Sequence, residues 1–190
     1  MLGALACNTS KEESHAKIII PDITLDASEV IIEKKVAQIF IEGKAYSGFL
    51  TAFNVAEKIT SRTGYYNGLK VGKAEAYYET GVLKESRYYL NNRKHGNHKG
   101  WWQNGALKFD ITFKNGLTEG ESLEWYEDGT PYKAFHYLNG QEIGSQKMWE
   151  LDGRIRANYV VKNGHRYGLI GLKNCKSVEN EEGTLTAVTY

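Results

Sequence analysis

The sequence predicts an all-β protein: an antiparallel array of repeated β-hairpins forming one elongated, twisted sheet. Three observations predict it. Glycine recurs every 24 residues at Gly48, Gly72, Gly96, Gly120, Gly144 and Gly168, with no insertion between. In the same step run Asn67, Asn91, Asn115, Asn139 and Asn163, then Gly81, Gly105, Gly129 and Gly153. A further column is aromatic: Phe53, Tyr77, Trp101, Trp125 and Trp149. A fixed period of roughly 20–50 residues marks stacked supersecondary units, each burying its apolar face against its neighbours.

Within a unit, two short aromatic-rich runs flank a turn triplet such as Gln103-Asn104-Gly105 or Glu127-Asp128-Gly129. The triplet suits a three-residue hairpin loop that ends on a left-handed glycine. On the second run Leu107, Phe109, Ile111 and Phe113 alternate with Lys108, Asp110 and Thr112, the period-2 signature of a strand with one apolar face. Asn67-Gly68, Asn115-Gly116, Asn139-Gly140 and Asn163-Gly164 stand at the returns between hairpins, where positive φ is expected; Asn91-Asn92 is the departure.

These residues resemble the MORN repeat, in the variant form found in bacterial YwqK-type antitoxins. Tyr77-Tyr78-Glu79-Thr80-Gly81-Val82-Leu83-Lys84 and Trp101-Trp102-Gln103-Asn104-Gly105-Ala106-Leu107-Lys108 carry the resemblance best. It implies a single twisted sheet used as a scaffold or binding surface, with no family active site to carry over.

Taken from the start, residues 1–24 read as a lipoprotein signal remnant and flexible tether. Ala4-Leu5-Ala6 precede Cys7, the arrangement of a lipidation site, and a polar run follows. Residues 25–47 read as an N-terminal capping hairpin, with Val30–Ile32 and Val36–Ile41 as strands and Glu33-Lys34-Lys35 as the turn. Residues 48–167 are five repeats of 24 residues, and 168–190 a C-terminal cap and tail. There Leu169–Leu172 offers a last strand, and Thr184–Tyr190 reads as a strand or a loose tail. Cys175 reads as a small apolar residue under the last hairpin, or as a partner for Cys7 or another molecule.

The charge balance, 24 Lys and Arg against 23 Asp and Glu, supplies no field to attract nucleic acid. Chemistry is sparse. His95 and His98 have His-x-x-His spacing, but they straddle a return and start a strand, with no carboxylate or Cys column beside them, so no metal site is expected. Ser86, Ser122 and Ser145 lack the sharp strand-to-helix turn of a nucleophile elbow. Asp128 and Asp152 are explained by turn chemistry. No catalytic residue and no cofactor are assigned, and the expected class is non-enzymatic.

Two aromatic columns remain. Phe53, Tyr77, Trp101, Trp125 and Trp149 are expected to form the core stripe, and Tyr78, Trp102 and Tyr126 an exposed binding face for a protein partner. The resulting expectation is a membrane-anchored envelope lipoprotein that binds a protein. Two alternatives stand beside it: a cytoplasmic antitoxin that neutralises a toxin protein, and a phospholipid-binding repeat protein. The sequence does not define an oligomeric state.

Overall fold

The computed structural model describes residues 18–171, together with the backbone of Ser177–Glu179 and Leu185–Ala187. Its strands begin with β1 (Thr24–Asp26), β2 (Ile32–Lys35), β3 (Gln38–Ile41) and β4 (Lys44–Ala45). The repeats supply β5 (Gly48–Asn54), β6 (Ile59–Tyr66), β7 (Leu69–Tyr78), β8 (Leu83–Leu90), β9 (Arg93–Lys94), β10 (Gly96–Trp101) and β11 (Leu107–Lys114). They continue with β12 (Leu117–Trp125), β13 (Pro131–Leu138), β14 (Gln141–Glu142), β15 (Gly144–Trp149), β16 (Ile155–Lys162) and β17 (His165–Leu169). β18 (Ser177–Glu179) and β19 (Leu185–Ala187) pair with each other.

One large sheet runs in the order β1-β5-β6-β7-β8-β10-β11-β12-β13-β15-β16-β17, with β9 paired to β8 and β14 to β13. Its hairpins β5–β6, β7–β8, β10–β11, β12–β13 and β15–β16 are all antiparallel. The single exception to antiparallel pairing among the described strands is β1, which lies parallel to β5 and covers the sheet's first edge.

Turn chemistry explains the hairpins. Gly81, Gly105, Gly129 and Gly153 hold φ of 81°, 85°, 86° and 80°, closing loops such as the one in which Gly105 N–H donates to the Trp102 carbonyl at 2.9 Å. The first unit lacks that glycine; Lys58 takes the left-handed position at φ 53°, and Asn54 Oδ1 accepts from the N–H groups of Ala56 and Glu57. At the returns both residues of each Asn-Gly pair have positive φ, the signature of a tight primed turn. Asn92, which stands in place of the glycine, has φ 66° and a reason to be there. Its Oδ1 accepts from Lys70 N–H at 2.7 Å and its Nδ2 donates to the Ala37 carbonyl at 2.6 Å, tying the second return to the N-terminal cap.

That cap differs from the expected hairpin. β2, β3 and β4 form a three-stranded sheet, and the turn falls at Val36-Ala37 while Glu33-Lys34-Lys35 lie within or at the end of β2. Val36 occupies the left-handed region at φ 55° with its side chain in solvent, an unusual place for a β-branched residue. The chain accepts it because β3 is fixed from the other side. Ile39 N–H donates to the Gly68 carbonyl at 2.9 Å and Gln38 Nε2 to the Asn67 carbonyl at 2.8 Å. Ile39, Tyr46 and Tyr65 form the core here, with Leu25, Ile32, Ile41 and Leu50 around them. Ile20 packs on the array, its Cδ1 lying 2.7 Å from the point where a Cβ on Gly64 would stand.

A second core cluster, Phe135, Ala157 and Tyr159, lies in the last two units, backed by Tyr137, Met148 and Val161. The expected core stripe is not the buried one. Phe53 is 55% exposed, and Tyr77, Trp101, Trp125 and Trp149 are half-buried. Cys7, Cys175 and the flanks of β18 and β19 lie outside the described residues. The last strand of the main sheet is β17, ending at Leu169, rather than Leu169–Leu172.

Candidate binding face

Tyr78, Trp102 and Tyr126 sit beside the turn of their hairpins and each reaches into the next unit. Tyr78 Oη donates to the Trp101 carbonyl at 2.9 Å, Trp102 Nε1 to the Trp125 carbonyl at 3.2 Å, and Tyr126 Oη to the Trp149 carbonyl at 2.9 Å. The three form a ladder of clamps, half-buried, with their polar ends spent inside the protein. Their rings are held by neighbours on the second strand: Lys108 Nζ lies 4.0 Å from the Trp102 centroid, and Tyr132 meets Tyr126 edge-on at 5.1 Å. At the opposite end, the N–H groups of Asn92, Gly116 and Gly140 donate to the carbonyls of Lys70, Lys94 and Thr118, stapling each return to the preceding one.

Each repeat glycine turns the chain by adopting positive φ, from 63° at Gly144 to 73° at Gly72 in the four central returns. The ladder between adjacent hairpins is interrupted there; β8 and β10 share only the pairs Lys99↔Ser86 and Gly100↔Glu85. The side chain two residues past the glycine fills the interruption. His98 and Gln146 are fully buried and Ser122 is 3% exposed. Gln146 behaves as a substitute peptide group: His136 N–H donates to its Oε1 at 3.1 Å, while its Nε2 donates to the carbonyls of His136 at 3.0 Å and Ile143 at 2.7 Å. His98 does part of the same work, its Nε2 standing 2.8 Å from the Tyr88 carbonyl. That contact places the proton on Nε2 and leaves Nδ1 an acceptor, which has no partner among the described residues. Leaving such an atom unmet costs about 1–3 kcal/mol.

On the same face, residues four past each glycine pair across the hairpin with complementary bulk: Gly100 with Phe109, Met148 with Ala157. A Cβ on Gly100 would stand 2.1 Å from Phe109 Cε1, so the ring lies flat over the glycine. Around it Phe109, Ile111 and Phe113 wall a cleft of about 170 Å³. Arg87, Lys94 and Glu124 also line it, with His98. Arg87 is ion-paired to Glu85 at 2.5 Å and Glu124 to Lys133 at 3.0 Å. Burial works against the charges of Arg87 and Lys133, yet the bonds to Glu85 and Glu124 outweigh it and raise both pKa values. Burial pushes the His98 imidazole below its ordinary value despite the Tyr88 contact, and the Arg87 and Lys94 charges push the same way.

His95 and His98 do not converge on a shared site, since the His98 ring nitrogen faces the Tyr88 carbonyl and its ring packs 4.7 Å from Phe113. Among the described residues no group of three or more His, Cys, Asp or Glu is placed to hold a metal ion. No described helix is long and apolar enough to cross a membrane. The residues that sequence reasoning missed are His98, Ser122 and Gln146. Their chemical dissimilarity hid a shared position that the period alone could have exposed.

The geometry defines a hairpin-repeat scaffold. Residues 70–91, 94–115 and 118–139 match the family model described as the MORN repeat variant, in windows that start 24 residues apart. Across these windows the chain is similar to the MORN repeat variant, and the structure adds a hairpin of the same build on either side. No curated protein matches the chain. The family match supports a repeat scaffold that binds rather than catalyses.

Proposed function

We propose that the array is a non-enzymatic scaffold that binds a protein partner across its aromatic face, and that a lipid on Cys7 holds it at the cell envelope. The observation that carries the binding reading is the half-exposed row Phe109, Ile111 and Phe113, over which no second layer lies among the described residues. Apolar side chains presented on one rigid sheet are pre-organised, so a partner gains contact area without paying to order them. Tyr78, Trp102 and Tyr126 remain part of the proposal as a fixed aromatic row at the turn end of this scaffold.

A photocrosslinking residue at Ile111, with a second at Lys147 as the comparison, tests the face in the native host. A discrete protein adduct from position 111 and none from 147 is the expected result. Adducts from both alike, or from neither, refute it. The anchor is tested separately by the intact mass of the protein expressed from its native locus, with Cys7→Ser as control. An acyl adduct that vanishes in the control supports the envelope. An unmodified chain in the cytoplasmic fraction removes that part and directs the search to the antitoxin reading.

A further inference from the structure

The cleft between β8, β11 and the return that carries β9 is unevenly charged. Arg87 already holds Glu85 and Glu124 already holds Lys133, whereas the Lys94 ammonium has no carboxylate partner among the described residues. It stands 4.8 Å from the centroid of Phe113, with Arg87 on the same cleft 5.7 Å from Phe109. The cleft therefore offers one unanswered positive charge above apolar walls, in a space of about 170 Å³ that suits one side chain. A carboxylate on an apolar stem answers both features: the charge meets Lys94, and the stem lies against Ile111 and the two rings.

We propose that this cleft receives an acidic side chain, Asp or Glu beside an aromatic residue, from a peptide segment of the protein partner. A peptide fits better than a free acid because it brings the carboxylate and an apolar neighbour in one piece. The inference rests on the partner-binding reading of the same face and names what that partner presents.

The test is an amide-resolved NMR titration of the full chain with the capped peptide acetyl-Phe-Asp-amide and with acetyl-Phe-Asn-amide, which has the same shape and no charge. Saturable shifts at Lys94, Phe109 and Phe113, about tenfold weaker for the neutral peptide, are expected. Lys94→Glu should abolish them, while Lys147→Glu, on the other face, should leave them intact. Equal binding of the two peptides, no binding of either, or binding retained in Lys94→Glu overturns the inference. Sedimentation with phosphatidylglycerol vesicles that depends on Lys94, without peptide binding, overturns it in favour of a lipid headgroup. Should the adduct from position 111 persist in Lys94→Glu, the face still binds a partner and only the acidic-side-chain inference falls.

Discussion

The indole N–H of Trp102 donates to the main-chain carbonyl of Trp125, 3.2 Å away in the next repeat, and Tyr78 and Tyr126 make the equivalent bond from a phenol. A side chain chosen for its ring thus also supplies a hydrogen bond that the interrupted ladder cannot. Tyr126→Phe keeps the ring and removes only the donor, and should cost about 0.5–1.5 kcal/mol in chemical denaturation. A loss near zero would mean that water replaces the bond.

Gln146 meets three buried backbone groups. Gln146→Met keeps much of the volume and leaves those groups unmet, so it should destabilise by about 2–4 kcal/mol, more than the loss of any single clamp. Faster amide exchange at His136 would place the damage at this return.

Gly100 has an ordinary φ, so Gly100→Ala tests packing alone. The added methyl meets the Phe109 ring, and about 1–3 kcal/mol of destabilisation is expected from thermal unfolding. Phe109→Leu in the same chain should recover part of it. If the double variant loses the sum of the single effects, the two positions are not coupled.

Acid should weaken the second return through His98. Its pKa is lowered in the fold, chiefly by burial, so the unfolded chain binds the extra proton first. The stabilisation is complete above the unfolded value, near 6.5, and is lost as pH falls through that value towards the folded one. His98→Gln, which copies the role of Gln146 two units on, should retain the bond to the Tyr88 carbonyl and flatten the stability profile below the unfolded value of about 6.5. A profile unchanged by the substitution would assign the acid sensitivity elsewhere.

Tyr159 behaves in the opposite sense at alkaline pH. Burial, joined by its 3.0 Å bond to Glu142, pushes the phenol up to about 12. Stability from this group is complete below the unfolded value of about 10 and is lost as pH rises through the folded value. Ultraviolet titration should place Tyr159 among the late tyrosines, with Tyr65 and Tyr137 also raised by burial, and Glu142→Gln should move the Tyr159 transition earlier.

The hairpins were legible because each signal is local. Gly105 and Asn115 announce their backbone conformations by residue type, and the period states how many times the motif is built. Burial was not legible in the same way. Trp101 and Trp125 look like a core stripe, but a single-layer sheet has no interior deep enough for them, whereas His98 and Gln146 disappear because they plug breaks in the backbone ladder. That role depends on a neighbour's main chain, which no periodicity displays. Val36 in a left-handed turn was hidden for a related reason: long-range bonds from Gln38 and Ile39 to the first return override its own preference.

The clamp from one hairpin to the next carries a further implication. The second, third and fourth units each reach into the following unit through Tyr78, Trp102 and Tyr126, and the third, fourth and fifth each carry a buried plug, while β1 closes only the first edge. Array length is therefore a quantity the fold can count in whole steps of 24 residues: a duplicated central unit finds a complete set of partners, and a fragment of one finds none.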